Sequence, residues 1–147
     1  MFEEIKHKYT KYNNWVQDFQ GGANISQRLM RLFSHNREFN SKPEHKEFYN
    51  SVKELAGRYL EEAKENGTDV YELLNYVFIE CYAVAVKAST FMFLAAEQEF
   101  IPFLDLLTRD ELVQLEEDYK KRRKKDPGLP IQTRIKKRIR QLCSEKA

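Results

Sequence analysis

The sequence predicts a small all-α protein, folded as a single helical bundle of about six helices around a buried central helix near residues 70–96. Three observations favour this class. Apolar residues recur at steps of three and four along most of the chain, which is typical of amphipathic helices. Only five glycines and four prolines interrupt 147 residues, so long segments remain that suit helices better than short strands. The composition, 41% hydrophobic and 33% charged, is that of a globular protein.

The N-terminal part of the chain carries three predicted helices. The first ends at a pair of glycines, and its apolar stripe contains Phe2, Ile5, Tyr9, Tyr12, Val16 and Phe19. A second helix over residues 25–33 and a polar loop over 34–43 follow. Pro43 suits the first turn of the third helix, where its missing N–H has no partner to lose. That helix is expected to end at Gly67, because glycine readily adopts the left-handed C-cap conformation.

The segment from residue 70 to 96 is apolar around nearly its whole circumference, which predicts a buried helix. Its polar positions fall on one narrow stripe formed by Glu72, Tyr76, Glu80, Ala83, Lys87 and Thr90. A transmembrane span is the competing interpretation. Two charges near its middle would each cost about 2.5–3.5 kcal/mol, and the segment has no uninterrupted apolar run of membrane-spanning length. The sequence therefore favours a central helix of a soluble bundle.

The C-terminal part contains two further predicted helices. Pro102 indicates a break, and Thr108 with Glu111 forms a capping-box pattern at the start of a helix. A turn over residues 126–130 precedes the last helix, which is expected from about Ile131 with an apolar stripe of Ile131, Ile135, Ile139 and Leu142.

Charge divides the chain into two regions. Residues 1–119 hold 13 basic and 21 acidic side chains, a net charge of −8, whereas residues 120–147 hold 12 basic and 2 acidic ones, a net charge of +10. This predicts an acidic helical bundle and a basic C-terminal segment whose final helix packs on or next to it. Removal of residues 120–147 is expected to leave the bundle folded.

The basic C-terminal segment is the strongest candidate binding element. Its cations could meet the acidic bundle, remain solvated, or bind a phosphate backbone, an acidic protein or a membrane surface. Aromatic residues, which bind single-stranded nucleic acid and anchor helices at membranes, are missing from the last helix. The candidate residues are Lys120, Lys121, Arg122, Arg123, Lys124, Lys125, Arg134, Lys136, Lys137, Arg138 and Arg140.

The first helix is a second candidate for partner binding. Tyr9, Tyr12 and Trp15 each combine an apolar ring with a polar group, and such residues are enriched at protein interfaces. Their helical spacing also suits a core, where most aromatic residues lie. The sequence leaves both interpretations open.

Signatures of enzymes, cofactors and metals are missing from the sequence. His7, His35 and His45 have no histidine or cysteine at ligand spacing, so neither a metal nor a cofactor is predicted. An acid/base site is conceivable only if Glu72, Glu80 and Lys87 converge in a cavity. Two widely separated cysteines and a charged N-terminus indicate a cytoplasmic protein with free thiols.

The favoured hypothesis is a non-enzymatic regulatory or adaptor protein that binds another macromolecule, with a protein as the expected partner. The alternative is a nucleic-acid-binding protein that uses residues 120–140, and the third hypothesis is an enzyme with a site between helices. Homodimerisation through the apolar central helix is a further expectation.

Overall fold

The computed structural model describes residues 2–20, 42–80, 95–125 and 133–146. These residues form helices and no strand, which confirms the predicted all-α bundle. The α-helices are α1 (Phe2–Gln20), α2 (Pro43–Asn66), α3 (Tyr71–Asn75), α4 (Arg109–Lys125) and α5 (Thr133–Glu145). A π-helical segment (Tyr76–Glu80) continues α3, and a 3₁₀ helix (Gln98–Leu106) precedes α4. Four predicted features lie wholly or partly outside the described residues. They are the helix over 25–33, residues 34–41 of the predicted loop, residues 81–94 of the predicted central helix, and the turn over 126–130.

Helices α1 and α2 pack through aromatic faces. Tyr12 stacks on Phe48 with ring centroids 4.1 Å apart, and Tyr9 meets the same ring edge to face at 5.2 Å. Helix α2 begins at Pro43 and ends before Gly67, whose φ of 63° is the predicted left-handed cap. The buried part of the α1 stripe confirms the predicted amphipathic helix and consists of Ile5, Tyr9, Tyr12 and Val16.

The first part of the predicted central helix, residues 70–80, has a buried side as predicted, but its helix changes type. Asp69 accepts a hydrogen bond from the backbone N–H of Tyr71 at 2.9 Å and so satisfies the start of α3. From Tyr76 to Glu80 the backbone is π-helical. A π-helical turn contains more residues than an α-helical turn, and the apolar periodicity of the sequence does not indicate this change. Glu72 and Glu80 lie on the exposed side. The buried residues are Val70, Leu73, Leu74, Val77, Phe78 and Ile79.

The predicted break at Pro102 is wrong, because this residue lies inside the 3₁₀ helix. Proline removes one N–H donor, but it is exposed here while its neighbours Phe100, Phe103 and Leu104 are fully buried. Their burial holds the segment in a helical conformation that the local sequence disfavours.

Helix α4 starts with the predicted capping box. The backbone N–H of Thr108 donates to Glu111 Oε1 at 3.0 Å, and the N–H of Glu111 donates to Thr108 Oγ1 at 3.2 Å. The helix then continues without interruption to Lys125. The boundary between the acidic residues 1–119 and the basic residues 120–147 therefore falls inside one helix, so the division is one of charge and not of chain folding.

Helix α5 belongs to the common core. Ile135, Ile139 and Leu142 are 4%, 5% and 3% exposed, as the predicted stripe requires. They join one apolar cluster that also contains buried residues of the other helices. The helix packs against α4 and the 3₁₀ helix, and this places its remaining, cationic sides at the surface.

Candidate binding surface

Polar contacts fix the direction of α5 along the 3₁₀ helix. Arg134 donates to Gln98 Oε1 at 3.1 Å, Arg138 contacts Asp105 Oδ1 at 2.6 Å, and Lys146 donates to the backbone carbonyls of Asp105 and Leu107. The end of α5 therefore lies beside the start of α4, and the two helices run antiparallel. Consequently the basic end of α4 and the beginning of α5 lie at the same end of this helix pair.

Some of the predicted binding cations are already paired with the acidic body. Lys120 Nζ lies 3.2 Å from Glu116 Oε1 and 3.7 Å from Glu117 Oε1. Arg138 is held by Asp105, as described above. Such partly exposed pairs stabilise a fold by only about 0–1 kcal/mol, but they occupy charges that a partner would otherwise meet.

The cations at the end of α4 lie beside carboxylates. Lys121, Arg122 and Lys125 line a pocket of about 300 Å³ together with Glu80 and Asp118. The Nε of Arg122 is buried there without a hydrogen-bond partner. Because two carboxylates share this pocket with three cations, its attraction for an anion is partly offset.

Asp118 also anchors α4 to the central segment. Tyr71 Oη donates to Asp118 Oδ2, Asn75 Nδ2 donates to the same oxygen at 3.0 Å, and Gln114 Nε2 donates to Oδ1 at 2.8 Å. Desolvation raises the pKa of the Tyr71 hydroxyl, and the hydrogen bond to Asp118 raises it further. These contacts orient the basic end of α4 without using its lysines.

A second cationic surface, here called the α5 face, consists of Thr133, Lys136, Lys137 and Arg140. These four residues line a shallow depression of about 440 Å³. Lys137 and Arg140 are exposed, and Lys136 is half-buried. The described residues that line this depression include no carboxylate, in contrast to the α4 pocket, and residues 133–142 contain neither aspartate nor glutamate. The α5 face is therefore the part of the described basic segment best suited to hold an anion. Lys124 is also exposed on α4, whereas the side chain of Arg123 lies outside the described structure.

The aromatic candidates of α1 are held largely inside the fold. Tyr9 is 1% exposed and Tyr12 is 4% exposed, and the hydroxyl of Tyr12 contacts Nδ1 of the buried His45. Trp15 packs edge to face against the same imidazole at a centroid distance of 5.1 Å and stays half-buried. Of these three residues, only Trp15 has enough exposed surface to contact a partner. A protein-binding role for this helix remains a prediction.

The carboxylates considered for acid/base chemistry line one open cleft. Glu72 and Glu80 are both exposed there, so water solvates them, and Lys87 lies outside the described residues. Sequence reasoning overlooked Asn13, which lines the same cleft and is buried. Its position one step from the predicted α1 stripe gave no signal for this burial.

The described residues contain neither a candidate membrane span nor a candidate metal site. None of their helices is long and apolar enough to cross a membrane, and no group of three metal-ligating side chains occurs among them. No protein-family model, curated protein or solved structure matches the chain. Functional inference therefore rests on the surfaces described above.

Proposed function

We propose that this chain is a non-enzymatic regulatory or adaptor protein that binds an acidic region of another protein through the α5 face. One observation carries the proposal. Helix α5 is docked by its buried isoleucine stripe, while Lys136, Lys137 and Arg140 lie at the surface in a depression whose described lining residues include no carboxylate. A rigid helix that presents uncompensated cations can steer and orient an oppositely charged partner.

The size of the α5 face favours a protein partner. From Thr133 to Arg140 a helix rises about 10 Å, which matches a short cluster of aspartate or glutamate residues. A nucleic-acid duplex presents a much longer track of phosphates and gains affinity by neutralising many of them. Beyond the α5 face such a track would meet the body, whose 119 residues carry the net charge of −8.

Docking of α5 also bears on a membrane-surface role. A helix that lies on a lipid surface must offer its apolar side to the acyl chains. Ile135, Ile139 and Leu142 are at most 5% exposed, so that side is occupied by the protein itself. Binding to lipid would require α5 to leave the core.

A nucleic-acid-binding function is the second candidate, and the shared location of two groups of cations favours it. Lys121, Lys124 and Lys125 are exposed at the end of α4 that lies nearest the start of α5. Together with the α5 face they could contact more than one phosphate. The proposed setting for either function is the cytoplasm, which rests on cysteine usage, and self-association through the central segment remains part of the proposal.

Fluorescence anisotropy with defined probes tests this function. The probes are a labelled peptide rich in aspartate and glutamate, a labelled DNA duplex and a labelled single-stranded RNA, each titrated at low and moderate salt. We expect the peptide to bind, and the K137E/R140E variant to weaken that binding about tenfold or more. The matched control is K46E/K53E, which makes the same change in net charge at two exposed lysines of α2.

The outcomes separate the two candidates. Equal loss in both variants would show that only net charge matters and would contradict a specific α5 face. Tight binding of duplex or RNA that falls steeply with salt, without peptide binding, would replace the protein partner by a nucleic acid. If none of the probes binds at low salt, the proposed use of the α5 face is wrong.

A further inference from the structure

A cleft between α1 and the central segment shares no described lining residue with the α5 face. It lies between α1 and the segment formed by α3 and the π-helical turn, and its volume of about 760 Å³ falls in the range of small-molecule sites. We call it the α1–α3 cleft. Residues that matter for its chemistry are Phe2, Lys6, Asn13, Glu72, Tyr76 and Glu80.

Asn13 supplies the first indication of a ligand. Its side chain is 6% exposed, lines the cleft, and has a buried Oδ1 without a hydrogen-bond partner. An unsatisfied buried acceptor costs a fold about 1–3 kcal/mol, so native proteins usually provide a donor. An N–H group of a molecule in the cleft would supply that donor.

The aromatic wall of the cleft already attracts an ammonium group. Phe2 and Tyr76 meet edge to face at 5.7 Å, and Nζ of Lys6 lies 5.9 Å from the centroid of each ring. Ring faces at this distance favour cations through their quadrupole. Because Lys6 is exposed, its long side chain can move aside and leave the rings to another cation.

Charge in the cleft also favours a cation. Among the described residues that line it, Glu72 and Glu80 are acidic and Lys6 is basic. The two glutamates are separated by eight residues of α-helix and π-helix, which is at most about 12 Å along the axis. A single ammonium cannot contact both carboxylates, whereas a linear molecule with several amino groups can.

We propose that the α1–α3 cleft binds a linear aliphatic polyamine. One ammonium donates to Asn13 Oδ1, the others pair with Glu72 and Glu80, and the methylene groups lie against Phe2 and Tyr76. Lys6 acts as an internal competitor that the ligand displaces. An anion is a poor occupant, because the described lining residues carry more negative than positive charge.

Isothermal titration calorimetry with spermidine tests the assignment. The Asn13→Leu variant replaces the amide by an apolar group of similar size, and we expect it to weaken binding about tenfold, the loss of one charge-assisted hydrogen bond. The E72Q/E80Q variant should weaken binding at least as much. Removal of the competitor by Lys6→Met should instead tighten it several-fold.

Two controls distinguish a built site from diffuse attraction. E62Q/E65Q removes the same charge at exposed positions of α2 that do not line the cleft, and it should leave affinity within about twofold. Tetramethylammonium, a cation without N–H donors, should bind weakly and should not distinguish Asn13→Leu from the unmodified chain. Circular dichroism confirms that each variant is folded.

Two outcomes of these titrations would overturn the proposal. Weakening by E62Q/E65Q equal to that by E72Q/E80Q would show unspecific attraction to an acidic body and would overturn it. Unchanged affinity in a folded Asn13→Leu variant would also overturn it. If that variant does not fold, the paired surface variants and Lys6→Met still decide, because none of them alters a buried residue.

Discussion

Helices α1 and α5 are both amphipathic and both pack through one stripe, yet they use their polar groups in opposite ways. In α1 the stripe is aromatic, and the hydroxyl of Tyr12 is turned inward to the buried His45. In α5 the stripe is aliphatic, so Ile135 and Ile139 bury no polar atom and the cations remain outside. The polar group of the α1 stripe therefore makes a contact inside the fold, whereas the cations of α5 lie at the surface.

Two helices with the same apolar periodicity can therefore differ in whether their polar groups are available to a partner. Periodicity predicts which apolar residues are buried, and the prediction is confirmed for Ile5, Tyr9, Tyr12 and Val16 of α1 and for Ile135, Ile139 and Leu142 of α5. The availability of a side chain for a partner depends on what the facing helix offers. For α1 that is the ring of Phe48 and the imidazole of His45, two residues of α2.

Deletion of residues 126–147 is the largest perturbation that would test the comparison. It removes Ile135, Ile139 and Leu142 from the core, and each buried aliphatic side chain contributes about 1.5–3 kcal/mol. The sum is comparable to the whole stability of a small domain. Contrary to the expectation from charge alone, we therefore expect loss of cooperative unfolding in thermal circular dichroism.

A point variant separates core loss from loss of charge. Ile139→Asp should unfold or strongly destabilise the chain, while Lys137→Asp, an exposed neighbour on the same helix, should change stability little. Unchanged melting of both the truncated chain and Ile139→Asp would mean that α5 is an appendage.

Truncation of Phe48 tests the aromatic packing of α1 on α2. This ring is 5% exposed and contacts both Tyr9 and Tyr12, so Phe48→Ala should lower the free energy of unfolding by about 3–5 kcal/mol. Urea denaturation measures the change. Val113→Ala on α4 is the control, since that side chain is 44% exposed and its loss should cost less than about 0.5 kcal/mol.

Local sequence signals predicted the parts of the fold that depend on neighbours along the chain. The capping box of Thr108 and Glu111, the glycine cap at Gly67 and the buried stripes are all short-range features. Their geometry follows from backbone hydrogen bonding within a turn or two.

Features that depend on distant segments escaped prediction. The ion pair of Arg58 with Glu4 at 3.2 Å joins α2 to α1, and no local pattern indicates it. The cleft that Asn13 lines is likewise formed with residues of α3 and the π-helical segment, which are distant in sequence. The sequence predicts the cations of both candidate surfaces. It does not predict that carboxylates line the α4 pocket, because this depends on where Glu80 and Asp118 lie in the fold.

Alkaline pH should weaken both the α1–α2 and the α3–α4 contacts through their tyrosines. Burial raises the pKa of Tyr12 well above its ordinary value of 10.0, and burial with the hydrogen bond to Asp118 does the same for Tyr71. The folded chain keeps these protons where the unfolded chain has lost them. The resulting stabilisation is complete below about pH 10 and falls as pH rises toward the folded-state pKa.

Urea denaturation at about pH 9 and about pH 11 checks this dependence. Tyr12→Phe should reduce the loss of stability between the two conditions by about 1.4 kcal/mol, the value for one pKa unit, and Tyr71→Phe should reduce it by less, because the Tyr71 hydroxyl is only partly buried and solvent screens its interactions. The two effects should add, because the tyrosines contact different helices. An unchanged pH dependence in both variants would contradict the inferred direction of the shifts.

The smallest expected effect concerns the ion pair that ties α5 to the 3₁₀ helix. Arg138 and Asp105 are 31% and 47% exposed, so solvent screens their attraction, and Arg138→Met should cost only about 0.2–1 kcal/mol. The same exchange at the exposed Arg140 should leave stability unchanged but weaken binding of the acidic peptide. If Arg138→Met weakens peptide binding more than Arg140→Met does, the partner contacts the side of α5 that faces the 3₁₀ helix. The α5 face would then have to be redrawn toward Arg134 and Arg138. A larger loss of stability, above about 2 kcal/mol, would show that the ion pair and not the isoleucine stripe fixes the helix.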